Sequence, residues 1–178
     1  MENNCCRRCG ALLVKTADHA YTCKNNHTIF DSPSPAVGIF FVTETNEVLL
    51  SRRGIEPHKG MLDSFGGFVD EGEAFEHAAI RELKEELSLE PGEYEDLRYL
   101  TSATGEYPYE GEPLPVLCVF YWTRLTTSRE LTASDDVADV VRVPLHGVSL
   151  NDLHSEDVKV AVSALRKVFP VAQTQPVA

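Results

Sequence analysis

Apolar residues recur in short runs separated by polar turns, and these runs predict a set of β-strands. Residues 36–42 form a continuous apolar run, which is typical of a buried strand. Residues 47–52, across a short polar turn, predict its hairpin partner. Residues 115–123 are rich in β-branched and aromatic side chains and predict another strand, and residues 137–143 predict a further one.

Two longer segments show helical periodicity. Over residues 74–87, apolar positions repeat on one side, and neither Pro nor Gly interrupts them. Over residues 155–169 a second apolar stripe repeats, with Ser155 placed to cap its start, acids in its first turn and bases in its last. Strands mixed with helices predict a layered α/β domain.

The first thirty residues differ from the rest because they hold four of the five cysteines. Cys6 and Cys9 form one pair of ligands at CxxC spacing, and Cys23 with His27 forms a second. Three thiolates and an imidazole suit tetrahedral zinc, and a segment this short needs metal for much of its folding energy. The alternative is a degenerate ribbon that has lost its metal and survives as a β-hairpin cap. Two further residues, Cys5 and His19, are alternative ligands.

The chain length and a turn-rich junction at residues 31–35 suggest the domain organisation. The 178 residues fit one ordinary domain with a small appendage. We expect a zinc ribbon over residues 1–31, a main domain over residues 32–170 and a flexible tail over residues 171–178.

Charge and composition limit the partners and the cellular location. The 16 basic and 28 acidic residues give a net charge of −12, which disfavours duplex nucleic acid as a partner. No run of apolar residues is long enough for a membrane helix, and no secretory signal begins the chain. We therefore expect no membrane partner, a cytoplasmic location and metal-binding thiols rather than disulfides.

The first predicted helix carries the strongest chemical signal. Glu82, Glu85 and Glu86 fall at i, i+3 and i+4, so their carboxylates share one face and repel each other. Hard cations such as Mg²⁺ or Mn²⁺ would convert that repulsion into coordination. Residues 67–90 carry a net charge of −6, half of the excess of the whole chain. The alternative interpretation is a solvated acidic face on an amphipathic helix.

The spacing over residues 67–89 resembles the Nudix box of the Nudix hydrolases, GX5EX7REUXEEXGU, where U is a bulky aliphatic residue. One position departs from it, since Ser88 stands where the family has glycine. A second departure is Phe65, where many relatives have proline. The N-terminal ribbon resembles that of the branch that includes NADH pyrophosphatases. This resemblance implies an α/β/α sandwich with a mixed sheet, preceded by a small zinc-ribbon β-hairpin module.

The resemblance also assigns roles within the box. Glu82, Glu85 and Glu86 would bind the Mg²⁺ or Mn²⁺ that bridges a diphosphate, and the Gly67 carbonyl would add an oxygen. Arg81 would orient these glutamates. Glu73 would support that network without contacting substrate. The general base would be a box glutamate or one of five later acids: Glu110, Glu112, Asp135, Asp136 or Asp139.

Four residues outside the helix are candidates for substrate binding. Arg52 and Arg53, at the end of a predicted strand, could hold phosphates bidentately, although surface charges near a turn explain them equally well. Phe65 could stack on a base, and so could Tyr107, which we expect in a Gly- and Pro-rich loop.

The substrate follows from the resemblance and from one feature that is missing. NADH pyrophosphatases carry a Ser-Gln-Pro-Trp-Pro-Phe-Pro type array after the box, and residues 101–109 do not contain it. We therefore expect hydrolysis of an ADP-ribose-like nucleoside diphosphate derivative by a homodimer. NADH and dinucleoside polyphosphates are alternative substrates. A non-catalytic Nudix ligand sensor and a ribbon-led binding module are the alternative functions.

Overall fold

The computed structural model describes residues 5–109 and 111–171. In this part of the chain, strands β1 to β9 span Leu13–Ala17, Ala20–Cys23, Thr28–Phe30, Ser34–Val42, Glu47–Arg53, Leu62–Asp63, Arg98–Tyr109, Glu112–Thr123 and Val137–Pro144. Helix α1 spans Phe75–Leu87 and helix α2 spans Glu156–Val168. None of the described helices is long and apolar enough to cross a membrane.

The N-terminal strands form a sheet of their own. Strands β1, β2 and β3 pair antiparallel in chain order. Its small core consists of Cys6, Cys23 and Ile29, and so two cysteines supply a large share of the buried side chains. A core this small agrees with a module that depends on bound metal.

The main sheet is mixed and lies between the two helices. Its order is β6-β5-β4-β8-β7, with β9 pairing with β5, and β4 runs parallel to β8. Alternate residues of β4 point to opposite faces. Ile39 and Phe41 pack with Leu83 of α1, while Phe40 packs with Val162 of α2. This arrangement confirms the predicted α/β/α sandwich with a mixed sheet.

The predicted elements occur with small shifts, and two strands of the main sheet, β6 and β7, were not predicted. Ser155 precedes α2 but makes no side-chain hydrogen bond to the helix backbone, because its hydroxyl bonds Asp157 instead. The prediction that Tyr107 lies in a loop is wrong, since it belongs to β7 and pairs with Leu114 of β8. The long antiparallel pairing with β8 overrides the poor strand propensity of glycine and proline here. Residues 172–178 of the expected tail, and residues 1–4 of the expected ribbon, lie outside the described residues.

Candidate active site and metal centre

The loop before α1 is held against strand β4 by backbone hydrogen bonds. Val37 N–H donates to the Gly67 carbonyl at 2.9 Å, and Ile39 exchanges two bonds with Phe65. Gly66 has a φ of +132°, and a Cβ there would lie 2.2 Å from the Val37 carbonyl oxygen, so only glycine fits. The glycine pair thus brings the backbone close to the sheet and beside the helix.

Gly67 lies directly against the carboxylate of Glu82. A Cβ on Gly67 would lie 2.7 Å from Glu82 Oε1, so a side chain there would displace the carboxylate. Glu82 itself is only 8% exposed. Burial raises its pKa, and the Arg81 guanidinium at 2.7 Å opposes that shift.

Arg81 connects the acidic residues of the site. Its guanidinium donates to both carboxylate oxygens of Glu73 at 3.1 Å, to Glu82 at 2.7 Å and to Glu85 at 2.9 Å. It also donates to the Phe68 carbonyl at 2.9 Å. The hydrogen bonds that Glu73 accepts, and those that Glu82 and Glu85 accept, raise the pKa of Arg81. The side chain can therefore hold these carboxylates in place in the way the resemblance implies.

Glu86 is the most deeply buried box carboxylate. It is 6% exposed and accepts a hydrogen bond of 2.9 Å from the Gly66 N–H. Burial raises its pKa to about 9, and the nearby carboxylates of Glu82, Asp63 and Asp136 add to the shift. A buried carboxylate with a single backbone donor and several acidic neighbours favours a bound cation.

The donor set fits a hard divalent cation. Glu82 and Glu86 are buried, and Glu85 is exposed. Arg81 forms ion pairs with Glu82 and Glu85. The Gly67 carbonyl has a second lone pair beyond the bond from Val37. Carboxylate and carbonyl oxygens, with room for waters, are what Mg²⁺-like ions require.

A loop between β8 and β9 adds two more acids beside the box. Ser134 donates from its backbone N–H and its hydroxyl to the Glu86 carbonyl, at 2.9 and 3.0 Å. This contact places Asp135 and Asp136 close enough to influence the pKa values of Glu82 and Glu86, respectively. The other candidate bases are placed differently: Asp139 lies opposite Arg52 in the β5–β9 ladder, Glu112 begins β8, and Glu110 lies outside the described residues.

A cavity opens next to the glycine pair. It is lined by Ala36, Val37, Arg53, Asp63, Ser64, Gly66, Gly67, Phe68, Glu106, Tyr107, Val116, Cys118, Phe120, His154, Ser155, Asp157 and Val158. Two of the predicted substrate-binding residues are therefore here. The Arg53 guanidinium lies over the Tyr107 ring at 5.8 Å, and that ring meets Phe68 edge-on at 5.6 Å between centroids.

The other two predicted substrate-binding residues do not line the cavity. Phe65 is completely buried and packs edge-on against Phe41 at 5.8 Å, so the prediction of a substrate contact for its ring is wrong. Apolar burial under α1 accounts for this aromatic residue. Arg52, one position along the strand from Arg53, instead donates to the Gly60 carbonyl at 2.9 Å.

Three polar residues of the cavity, Asp157 buried and Asp63 and His154 partly buried, were not predicted from the sequence. Asp63 accepts from Arg53 at 3.0 Å and lies 3.4 Å from His154 Nε2, while Asp157 is 8% exposed. Burial raises the pKa of Asp63 and lowers that of His154, and their mutual attraction opposes both shifts. His154 and Asp157 lie about a hundred residues from Arg53 along the chain, and no local pattern marks them.

The four predicted ribbon ligands converge on one point. Within the described residues, the ligand atoms of Cys6, Cys9, Cys23 and His27 all lie within 4.8 Å of one another. Cys9 Sγ and Cys23 Sγ are 3.8 Å apart, and Cys6 Sγ and His27 Nδ1 are 3.6 Å apart. Tetrahedral zinc would separate two sulfurs by about 3.8 Å and a sulfur from a nitrogen by about 3.6 Å, given its usual bond lengths.

The chemistry of Cys9 agrees with a metal ligand. The Ala11 backbone N–H and the Asn25 side chain lower the pKa of Cys9 to about 6, which favours the thiolate. Cys5 is exposed and lies outside the converging group. All five cysteines are free thiols in this structure.

Comparison with known proteins agrees with this geometry. A family model described as NUDIX domain matches residues 32–163. The chain is 32% identical to the human mitochondrial NAD(P)H pyrophosphatase NUDT13 over 114 residues, which are 64% of this chain and 31% of that protein. It is 45% identical to the ADP-ribose pyrophosphatase of Methanocaldococcus jannaschii over 58 residues, 32% of this chain and 34% of that protein.

A solved structure extends the likeness to almost the whole chain. The NUDIX hydrolase from Nitrosomonas europaea superimposes with a TM-score of 0.69 and 20% identity, over 97% of this chain and 94% of that one. At this identity, the likeness concerns the fold. The chain spans about a third of the length of the curated relatives above, so their activities are not transferred to it on similarity alone.

Proposed function

Since the chain belongs to the NUDIX domain family, we propose that it hydrolyses the diphosphate linkage of a nucleoside diphosphate derivative with the help of Mg²⁺ or Mn²⁺. The observation that carries this proposal is the buried carboxylate pair, Glu82 and Glu86, placed around Gly67. Arg81 bonds both the buried Glu82 and the exposed Glu85. An acidic face that served only for solvation would not bury two of its carboxylates.

The residues of the site have two proposed roles, metal binding and the orientation of the metal ligands. Glu82, Glu85, Glu86 and the Gly67 carbonyl would hold the cation, which when bound supplies Lewis-acid activation of phosphate and of water. Arg81 orients the carboxylates, and Glu73 fixes Arg81 from the far side through both oxygens. Positioning and charge stabilisation are what phosphoryl-type transfer mainly requires.

We propose that a later acid receives the proton from the attacking water. Asp135 and Asp136 lie beside the box because Ser134 is bonded to the end of α1. Their carboxylates belong to a separate loop and make no hydrogen bond or ion pair within the described residues. We assign the general base to this pair, with Asp136 favoured because it is a close neighbour of buried Glu86.

An ADP-ribose-like molecule is the first substrate choice, and NADH is the second. The likeness to an ADP-ribose pyrophosphatase and to an NAD(P)H pyrophosphatase supports this class of substrate. The missing Ser-Gln-Pro-Trp-Pro-Phe-Pro type array favours ADP-ribose over NADH. The cavity beside Gly66 and Gly67, with Tyr107 and Arg53 in its wall, offers a place for one end of such a molecule.

The ribbon would carry a structural zinc ion. Three sulfurs and one nitrogen at tetrahedral separations, with a thiolate-favouring environment at Cys9, support this assignment. Four protein atoms would fill the tetrahedral coordination of this zinc ion, so no coordination position would remain for a substrate. Homodimerisation and a cytoplasmic location stay predictions.

The test is a panel of nucleoside diphosphate derivatives, incubated with Mg²⁺ or Mn²⁺, with products identified by mass. ADP-ribose should yield AMP and ribose 5-phosphate only when the metal is present. Glu85→Gln and Glu86→Gln should each abolish most turnover while the protein stays folded, and Glu90→Gln, an exposed acid just beyond the helix, should not. Hydrolysis of no member of the panel would favour a ligand-sensing or ribbon-led binding protein instead.

A further inference from the structure

The cavity beside the box is apolar at its base and aromatic at its rim. Val116, Cys118 and Phe120 lie on the face of the sheet that α2 covers, Val158 belongs to α2 itself, and all four line the cavity. At the rim, Phe68 is exposed and contacts the partly buried Tyr107. Such walls suit a flat heterocycle, whereas a sugar would leave several hydroxyl groups facing apolar atoms.

Three carboxylates interrupt this apolar lining, those of Asp63, Glu106 and Asp157. Asp157, in the first turn of α2, is 8% exposed and lines the cavity. Within the described residues, its only hydrogen-bond donor among side chains is the Ser155 hydroxyl. Strand β7 passes close by, because a Cβ on Gly105 would lie 2.9 Å from Asp157 Cγ. A buried carboxylate offers about four acceptor positions, so Asp157 retains capacity for a further donor.

Of the other charged and imidazole groups that line the cavity, Glu106 is exposed to solvent, whereas Arg53, Asp63 and His154 are largely engaged with one another. The Arg53 guanidinium bonds Asp63 and the Pro57 carbonyl. His154 approaches Asp63 through Nε2 at 3.4 Å, while its Nδ1 is buried with no hydrogen-bond partner among the described residues. With Nε2 protonated toward Asp63, Nδ1 is an acceptor. Beside the engaged Arg53–Asp63 pair, the buried acceptors that the cavity leaves unused are therefore those of Asp157 and His154, while the Glu106 carboxylate is open to water.

We propose that this cavity is a nucleobase site and that Asp157 selects bases that carry an exocyclic amino group. The carboxylate accepts a hydrogen bond from the amino N–H of an adenine-type base. It repels the carbonyl oxygen that a hypoxanthine-type base carries at the same position. This proposal rests on the proposed function for the presence of a nucleotide, and it adds which nucleotides the site admits and which residue decides.

The first experiment measures binding without turnover. AMP and IMP differ in the amino and oxo group at one ring carbon, and in the protonation of the neighbouring ring nitrogen, and titration calorimetry of the full chain with each would give their affinities. The wild-type protein should bind AMP at least about tenfold more tightly, since an unpaired buried acceptor costs roughly that much or more. Equal affinities for AMP and IMP would overturn the proposal, as would a failure of AMP to bind.

The Asp157→Asn variant tests the named residue. Its amide can accept from an amino group and donate to an oxo group, so AMP should lose affinity, IMP should gain it, and their ratio should approach one. Glu156→Gln is the matched control, because Glu156 is in the same helical turn, carries the same charge and is exposed. The control should keep the wild-type ratio, and an Asp157→Asn protein that also keeps it would contradict the proposal.

A second variant covers the case in which Asp157→Asn fails to fold. Gly105→Ala adds a methyl group against the Asp157 carboxylate without altering any charge. It should weaken AMP binding severalfold and leave weak IMP binding nearly unchanged. If Gly105→Ala left AMP binding at the wild-type level, the carboxylate would not be the contact.

Measurements of turnover distinguish failure of the proposed base site from failure of the proposed hydrolysis. With Mg²⁺, kcat/KM for ADP-ribose and for its hypoxanthine analogue should differ in the same sense as the AMP and IMP affinities. Preferential AMP binding with no hydrolysis of either substrate would refute the proposed function and leave the base site standing. Efficient, equal hydrolysis of both would do the reverse.

Discussion

The backbone N–H of Gly66 donates a hydrogen bond of 2.9 Å to the carboxylate of Glu86, twenty residues later in the chain. This bond ties the glycine pair to the last turn of α1 and leaves the rest of a buried carboxylate without a donor. Such a group destabilises the metal-free fold, because it is either charged and desolvated or protonated against its ordinary pKa. The carboxylate that is suited to bind a cation therefore lowers the stability of the metal-free protein.

The Glu86→Gln variant should separate stability from activity. Its side-chain oxygen can still accept from Gly66, and the neutral amide removes a desolvation penalty, so the metal-free protein should unfold at an equal or higher temperature. Hydrolysis should fall by more than about 100-fold, the upper end of what loss of a partner that supports a metal ligand costs. Calorimetry without metal and initial rates with Mg²⁺ are the two measurements. A large loss of stability with retained activity would contradict the assignment.

Gly67→Ala should impair activity more than folding. Its Cβ would lie 2.7 Å from Glu82 Oε1, the far end of a side chain that can rotate away at a cost to its contact with Arg81. We expect an unfolding free energy within about 1–2 kcal/mol of wild type and a drop in kcat of at least about tenfold. Gly147→Ala is the control, since its Cβ would meet only ordinary contacts at 3.6 Å or more.

Ser88→Gly should stabilise the protein. Ser88 ends α1 with a φ of 53°, in the left-handed region where a residue with a Cβ is strained and the family has glycine. Relief of this strain, less the backbone entropy that glycine loses, should raise the free energy of unfolding by about 0.5–1 kcal/mol. Chemical denaturation checks this, and a destabilised variant would show that the serine contributes something that its backbone does not explain.

Arg129 caps the C-terminal end of α1, where Ser88 has a strained backbone conformation. Its guanidinium donates to the Leu87 carbonyl at 3.2 Å and to the Ser88 carbonyl at 2.7 Å. Arg129→Met keeps an unbranched side chain and removes these donors, so it should cost about 1–2 kcal/mol at pH 7. Arg98→Met, on an exposed strand position, is the control for general loss of positive charge.

The stabilising effect of Arg129 should also depend on pH through Glu93. Arg129 Nε bonds Glu93 at 2.7 Å, and this hydrogen bond holds the pKa of Glu93 below its ordinary value. A lowered pKa in the folded state contributes stability above the unfolded-state value, about 4.3, and loses it as pH falls through the folded-state value. The difference between wild type and Arg129→Met should therefore shrink on acidification below about pH 4. A constant difference would exclude the pairing.

Much of the fold and box could be predicted because their signals are local. The apolar stripe of α1 and the spacing of Glu82, Glu85 and Glu86 are visible over a few helical turns. By contrast, β7 looked like a loop around Gly105 and Pro108, and only its partner strand reveals it. Local pattern could not show that pairing.

The cavity was harder to predict because its walls come from distant parts of the chain. Asp63 follows β5 by a loop, whereas His154 and Asp157 precede or begin α2, and packing of the helix on the sheet unites them. Phe65 illustrates the opposite error, since an aromatic residue next to a functional glycine pair is in fact core. Residue type alone does not distinguish a cavity-lining residue from a core residue such as Phe65.

The central claim is that the box carboxylates bind the divalent cation that activates a nucleoside diphosphate derivative for hydrolysis. It is tested most directly by titrating Mg²⁺ into wild type, Glu86→Gln and Glu90→Gln with ADP-ribose as substrate and measuring the release of AMP. We expect AMP release to be saturable and metal-dependent for wild type and Glu90→Gln, and almost absent for Glu86→Gln at any metal concentration. The same rate in all three proteins, or a wild-type rate that does not depend on metal, would contradict it.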